Sequence, residues 1–230
     1  MYIKNKRGDH IGTVISFVLF MTFVVFLYSI TSPALKSSDE EENLLVYLEN
    51  KIIENISDYL TSISVSFSPS GNCLQVNNYP YASNVLVKNS EGEIVNSDVL
   101  SGNLYIELNS ESFFNIYASE SFLNSPEWDS SSCNPSANYN LGLYRTEEKV
   151  SEEKVSELLK VYSENYDRVK EYFKVPDSRE FGFGFIYNNN TLVSTDDKNV
   201  STNIYTNKIP VEYFNEEAEI LQGFVNIKVW

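Results

Sequence analysis

From residue 11 to residue 30 no position carries a charge. A helix of that length, rising about 1.5 Å per residue, spans about 30 Å, the hydrocarbon thickness of a bilayer. Lys4, Lys6 and Arg7 precede the run and Asp39, Glu40, Glu41 and Glu42 follow it. Basic flanks stay on the cytoplasmic side, so the pattern predicts a cytoplasmic basic leader (1–10), a transmembrane helix (11–30) in the lipid bilayer of the cytoplasmic membrane, and an extracytoplasmic C-terminal domain. A cleaved secretory signal is the competing reading. Its apolar region normally runs about 7 to 15 residues and ends at small residues of the A-x-A kind, which Ser29-Ile30-Thr31 and Ser32-Pro33-Ala34 match poorly.

Beyond the run the periodicity changes twice. Thr31-Ser32-Pro33 is expected to interrupt the helix, since proline lacks an amide donor and restricts its predecessor, leaving a juxtamembrane linker over 31–38. Ser38-Asp39-Glu40-Glu41 reads as a capping box. Leu44, Leu45, Leu48, Ile52, Ile56, Tyr59 and Leu60 then recur at helical spacing, which predicts an amphipathic helix that covers a sheet. From residue 62 to about 143 short alternating runs predict strands, with Glu91-Gly92 at a hairpin turn. Residues 121–140, rich in Ser, Asn and Pro, predict a surface loop. Val155, Leu158, Leu159, Tyr162, Tyr166, Val169 and Phe173 predict a long helix over 146–174, with Glu164 and Arg168 paired four residues apart. Strands return over 181–187, 191–194, 203–213 and 224–230, with a turn at Asn188-Asn189-Asn190. The fold class is therefore α+β: an N-terminal transmembrane helix and an amphipathic helix, then a mostly antiparallel β-sheet domain over 39–230 with one long inserted helix.

Composition narrows the chemistry. The 230 residues carry a net charge of −15, divided as +2 over residues 1–35 and −17 beyond. That balance argues against nucleic acid as a partner, since such affinity comes mainly from Lys and Arg. His10 is the sole histidine, so the outer domain cannot hold a Ser-His-Asp triad, a Cys-His pair or a histidine-ligated zinc. No cofactor fingerprint or metal-ligand set stands out. Phe181-Gly182-Phe183-Gly184-Phe185-Ile186-Tyr187 imitates the glycine-aromatic strand of RNA-recognition domains and contains G-x-G. It lacks the basic residue of the first and the third glycine of the second. Alternation gives the plainer account: Phe181, Phe183 and Phe185 share a core face, and the glycines let a helix approach the other. Cys73 and Cys133, in an outer segment, predict a disulfide closing a 60-residue loop; two buried free thiols are the alternative. Three glycosylation triplets begin at Asn55, Asn189 and Asn199, of which Asn189 falls at a turn.

Lys6-Arg7-Gly8 directly before an apolar helix resembles the class III signal of archaeal type IV pilin-like proteins, and Ile11-Gly12-Thr13-Val14-Ile15 resembles the start of their helices. The resemblance covers about the first 30 residues. It implies cleavage between Gly8 and Asp9 and a mature helix that packs into a filament or stays in the membrane beside other pilin-like subunits. The chain differs from bacterial pilins in placing Thr13 at the fifth mature position, where they carry glutamate. Gly12, Thr13 and Ser16 lie within about one helical turn and would admit a neighbouring helix. The leading expectation is a membrane-anchored, non-enzymatic structural or interaction subunit at the cell surface. A single-pass binding module with no assembly role is the alternative, and a carboxylate-dependent glycoside-type hydrolase follows behind it.

Overall fold

The computed structural model describes residues 7–68, 70–80, 84–108, 111–122, 128, 130–136, 138–195 and 203–230. Its elements run α1 (Arg7–Ile56), β1 (Ser57–Phe67), β2 (Cys73–Val76), β3 (Val85–Asn89), β4 (Ile94–Val95), β5 (Ser97–Leu100), β6 (Asn103–Glu107) and β7 (Phe113–Ala118). A short 3-10 turn (Ser130–Ser132) leads to β8 (Pro135–Ser136), β9 (Tyr139–Ser151), α2 (Glu152–Glu164), α3 (Tyr166–Tyr172), β10 (Phe181–Ile186), β11 (Leu192–Ser194), β12 (Tyr205–Phe214) and β13 (Ile220–Val229). The architecture is α+β. A nine-stranded sheet has the order β11-β10-β13-β12-β9-β1-β7-β3-β4, and a four-stranded sheet the order β5-β6-β2-β8. Pairing is antiparallel except at β12 with β9 and β2 with β8.

Three sequence expectations are corrected. The linker over 31–38 is helical, and α1 is one helix of 50 residues through Pro33. A proline removes its own donor and crowds one carbonyl, whereas long helical stretches on both sides propagate one hydrogen bond per residue fixed. Position 38 therefore lies inside the helix, and no helix begins there. Second, α1 ends at Ile56 and β1 begins at Ser57, so Tyr59 and Leu60 are strand residues. Third, 146–151 belongs to β9, and the helix that follows is split. Ser151 caps α2 by accepting the Lys154 amide, and Asn165 closes α2 and caps α3 through the Arg168 amide. The break lies between Glu164 and Arg168, which removes them from a common helical face.

Helix α1 buries Leu45, Leu48, Ile52 and Ile56 against β12, β13 and α2 in the first core cluster. Full burial of each such side chain stabilises by about 1.5–3 kcal/mol. Phe181, Phe183 and Phe185 face this cluster: Phe181 and Phe183 meet Tyr162 edge-on, Phe181 also stacks on Tyr166, and Phe185 meets Tyr187 and Tyr213 edge-on. The helices thus lie on the phenylalanine face, not on the glycine face. A Cβ at Gly182 would sit 2.9 Å from the Thr195 hydroxyl and 3.4 Å from the Trp230 ring, so it is Thr195 and Trp230 that need the space. A second cluster, including Val65, Leu74, Val87, Ile106 and Phe114, fills the gap between the two sheets. Leu60, Leu86, Phe122, Phe214 and Ala218 join the halves.

That join is narrow. β9 runs beside β1 over its length, from Ser57 with Val150 to Phe67 with Tyr139, yet meets β12 only at Val150 with Tyr213 and Ser151 with Phe214. The nine-stranded sheet is therefore forked. On the β9 side of the fork Leu141, Leu143 and Tyr144 are 56%, 74% and 57% exposed.

At the turn from α1 into β1 stands Asp58, 7% exposed. Its Oδ2 accepts from the Ser119 hydroxyl (2.8 Å), the Ser121 amide (3.0 Å) and the Ser121 hydroxyl (2.6 Å), and its Oδ1 accepts from the Tyr59 amide (2.8 Å). Lys154 of α2 lies 3.4 Å from Oδ1 and donates to the Ser57 carbonyl at 2.9 Å. Burial pushes the Asp58 carboxyl up, but the Ser121, Ser119 and Tyr59 hydrogen bonds and the Lys154 charge together hold it below the ordinary carboxylate value. A carboxyl whose pKa falls on folding contributes stability that is complete above its unfolded value of about 3.9. That contribution is lost as the pH drops through the lower folded value. Asp58→Asn should therefore cost about 1.5–3 kcal/mol in urea unfolding at pH 7, and the gap to the native chain should close in strong acid. A gap independent of pH would remove the charge from the account.

Cys73 and Cys133 are bonded, with Cα atoms 5.6 Å apart. Cys73 is fully buried in β2, opposite Pro135 of β8. Gly71, at φ +99°, brings its backbone against the Asn134 carbonyl, where a Cβ would collide. The bond and this close approach hold the serine-rich segment to the small sheet. Thiol labelling of the denatured, unreduced chain should find no free cysteine, and replacing both cysteines by serine should cost about 3–4 kcal/mol.

Candidate functional site

The most exposed apolar surface is helical. From Gly12 to Ser29 α1 is long and apolar enough to cross a membrane, and none of it is buried within the chain. Phe17, Leu19, Phe20, Phe23 and Val25 are 58–65% exposed. One polar atom in the run is satisfied locally: Thr22 Oγ1 donates to the Leu19 carbonyl at 2.9 Å, the back-bond that lets a hydroxyl sit in an apolar helix. Composition alone allows either a membrane anchor or a signal sequence. From Glu41 to Ile56 the same helix is wedded to the domain. Glu41 pairs with Arg179 at 3.0 Å, Glu49 accepts from Asn207 Nδ2 at 2.6 Å, and Leu48, Ile52 and Ile56 are 0–1% exposed.

The predicted residues fall as follows. Gly8 and Asp9 lie in the first turn of α1. Gly12, Thr13 and Ser16 follow on the exposed stretch, and a Cβ at Gly12 would meet nothing within 4 Å. Gly12 and Ser16, four residues apart, share one helix face. Asn55 is half-buried in the last turn of α1, with Nδ2 donating to the Tyr172 hydroxyl at 3.4 Å. Asn189 is exposed at the turn between β10 and β11, and Asn199 lies outside the described residues.

Two features escaped the sequence. The Asp58, Ser119, Ser121 and Lys154 cluster joins residues up to 96 positions apart, and no local pattern announces it. Beside it an open cavity of about 610 Å³ is lined by Glu54, Asp58, Tyr59, Glu120, Glu148 and Lys154, among others. Hydrolysis by paired carboxyls needs one of them kept protonated near neutrality. Asp58 is shifted the other way and its oxygens are already engaged. Burial pushes the Glu152 carboxyl up, but it accepts from Tyr187 and does not line this cavity. A groove of about 370 Å³ between α1, α2 and α3 places Lys154 and Arg168 beside Leu158, Val161 and Tyr172. Among the described residues no group of three or more His, Cys, Asp and Glu is placed to hold a metal.

No protein-family model matches the chain, and no curated protein or solved structure matches it either. The site is therefore read from its own geometry. Phe20→Lys, near the middle of the exposed run, should cost about 3–4 kcal/mol of membrane insertion. The native chain should resist alkaline extraction from membranes, and the variant should move to the soluble fraction.

Proposed function

We propose that the protein is a membrane-anchored extracytoplasmic structural or interaction subunit, pilin-like, that assembles through its N-terminal helix. The observation that carries this reading is the division of α1: the Gly12–Ser29 stretch buries nothing within the chain, while the part ending at Ile56 is locked into the domain core. A helix built in this way transmits any packing of its apolar half directly to the folded domain. The Lys6-Arg7-Gly8 junction supports a processing site before Asp9, and the basic residues ahead of the span favour an outward-facing domain. Gly12 and Ser16 support close helix approach, because small residues are enriched where membrane helices pack. The disulfide agrees with an oxidising compartment.

The alternative, an anchored binding module with no assembly role, is favoured by the exposed Leu141, Leu143 and Tyr144 beside the fork. A strand margin carrying exposed apolar side chains is suited to receive another strand.

Crosslinking in membranes separates the two. Assembly predicts complexes trapped through positions 12 to 22, a mature chain beginning at Asp9, and digestion of the domain by protease added to intact cells. Gly12→Leu with Ser16→Leu should weaken those complexes at least tenfold while the domain stays folded. A chain that keeps Met1 and remains monomeric before and after substitution would hand first place to the binding module.

A further inference from the structure

The three glycosylation triplets look alike as text, but their surroundings differ. Asn189 is exposed in the turn Asn188-Asn189-Asn190 that joins β10 to β11. Its Oδ1 accepts the Thr191 amide at 2.9 Å, and the Tyr187 amide donates to the Thr191 carbonyl while the Asn190 amide donates to the Tyr187 carbonyl, both at 2.9 Å. Asn190 takes φ +64°, which turns the chain sharply at the apex. The first of these contacts uses the carbonyl side of the Asn189 amide, and Nδ2 makes no hydrogen bond among the described residues. Thr191, two positions on, is exposed as well. Asn55 offers the opposite arrangement: its Nδ2 is engaged with Tyr172, its middle residue Ile56 is 1% exposed, and Ser57 already belongs to β1. An enzyme could reach that triplet only by unwinding the last turn of α1 and pulling Ile56 from the core.

From this contrast we infer that Asn189 is a glycan-bearing residue and that Asn55 is not. The inference rests on the extracytoplasmic placement proposed above. The co-reactant is a lipid-linked glycosyl phosphate. Nδ2 of Asn189 attacks the anomeric carbon of its first sugar, a carbon–nitrogen bond forms, and the bond from that carbon to the phosphate oxygen breaks. The displaced lipid phosphate leaves with the electron pair, and one Nδ2 proton is released. The position also has a physical consequence. β11 is the outermost strand of the nine-stranded sheet, with Leu192 56% exposed three residues beyond Asn189. A glycan there would stand beside a strand edge that pairs with no further strand among the described residues, the feature through which sheets otherwise pair with one another.

The test is the intact mass of the full chain, made in a host that glycosylates its secreted proteins, with protease digestion of intact cells to locate the domain. The native chain should carry a glycan increment. Asn189→Gln and Thr191→Ala should each lose all of the increment held at this site, Thr191→Ser should keep it, and Asn55→Gln should change nothing. Peptide mass mapping assigns the sugar to its residue. A protease-accessible domain with bare Asn189, or with sugar only at Asn55 or Asn199, overturns this inference and leaves the proposed function standing. A domain sealed inside the cell overturns both.

Discussion

One helix answers to two different surroundings. Over Gly12–Ser29 α1 has no apolar surface of its own chain to rest against, and near Ile56 it has nothing else. Everything after it is arranged to hold the second half. β12 and β13 supply the floor, α2 closes the side, and the pairs Glu41 with Arg179 and Glu49 with Asn207 fix its rotation. Because Ile56 passes straight into Ser57, no slack separates the helix from β1, the strand that runs through the middle of the large sheet. The Asp58 cluster sits at that transition and ties it to the end of β7 and to α2. A force or displacement applied to the apolar half of α1 thus enters the sheet at its centre.

The rest of the domain divides at the fork between β9 and β12. The half with β10, β12 and β13 carries α1, α2 and α3, while the half with β1, β3 and β7 carries the small sheet and the disulfide. Two residue pairs, the five-residue cluster that includes Phe214, the Asp58–Lys154 tie and the direct passage of α1 into β1 hold the halves together. The half bound to α1 is positioned by the helix. The disulfide half projects from it, stabilised by the covalent link from β2 to the segment that leads into β8.

Much of this order was legible because periodicity reports burial. Leu48, Ile52 and Ile56 at helical spacing, and Phe181, Phe183 and Phe185 at strand spacing, occupy the core as their patterns require. The pairing of Cys73 with Cys133 followed from their number and the compartment expected for them. Boundaries were less legible, because they are decided by contacts distant in sequence. Tyr59 and Leu60 continue the helical stripe but are taken into β1 by pairing with Glu148 and Glu147. Residues 146–151 contain good helix formers, yet pairing with β1 extends them as strand. Pro33 read as a break because local rules weigh one lost bond and not the helix on either side. The glycines of β10 signalled close approach correctly and its partner wrongly: Trp230 is the last residue, and nothing near Gly182 points to it. The candidate site was legible as an apolar run, whereas the Asp58 cluster and the fork arise only from tertiary pairing.

The continuity of α1 is the central claim, and a distance measurement addresses it directly. Spin labels at positions 24 and 46, both on exposed helix surface, would bracket Pro33 in the full chain reconstituted into bilayers. One unbroken helix at about 1.5 Å per residue places the backbone positions about 33 Å apart. The account predicts a single narrow distribution near that separation. A broad distribution shifted to shorter distances would show a hinge at 31–38, and the anchor would then be uncoupled from the domain it is argued to carry.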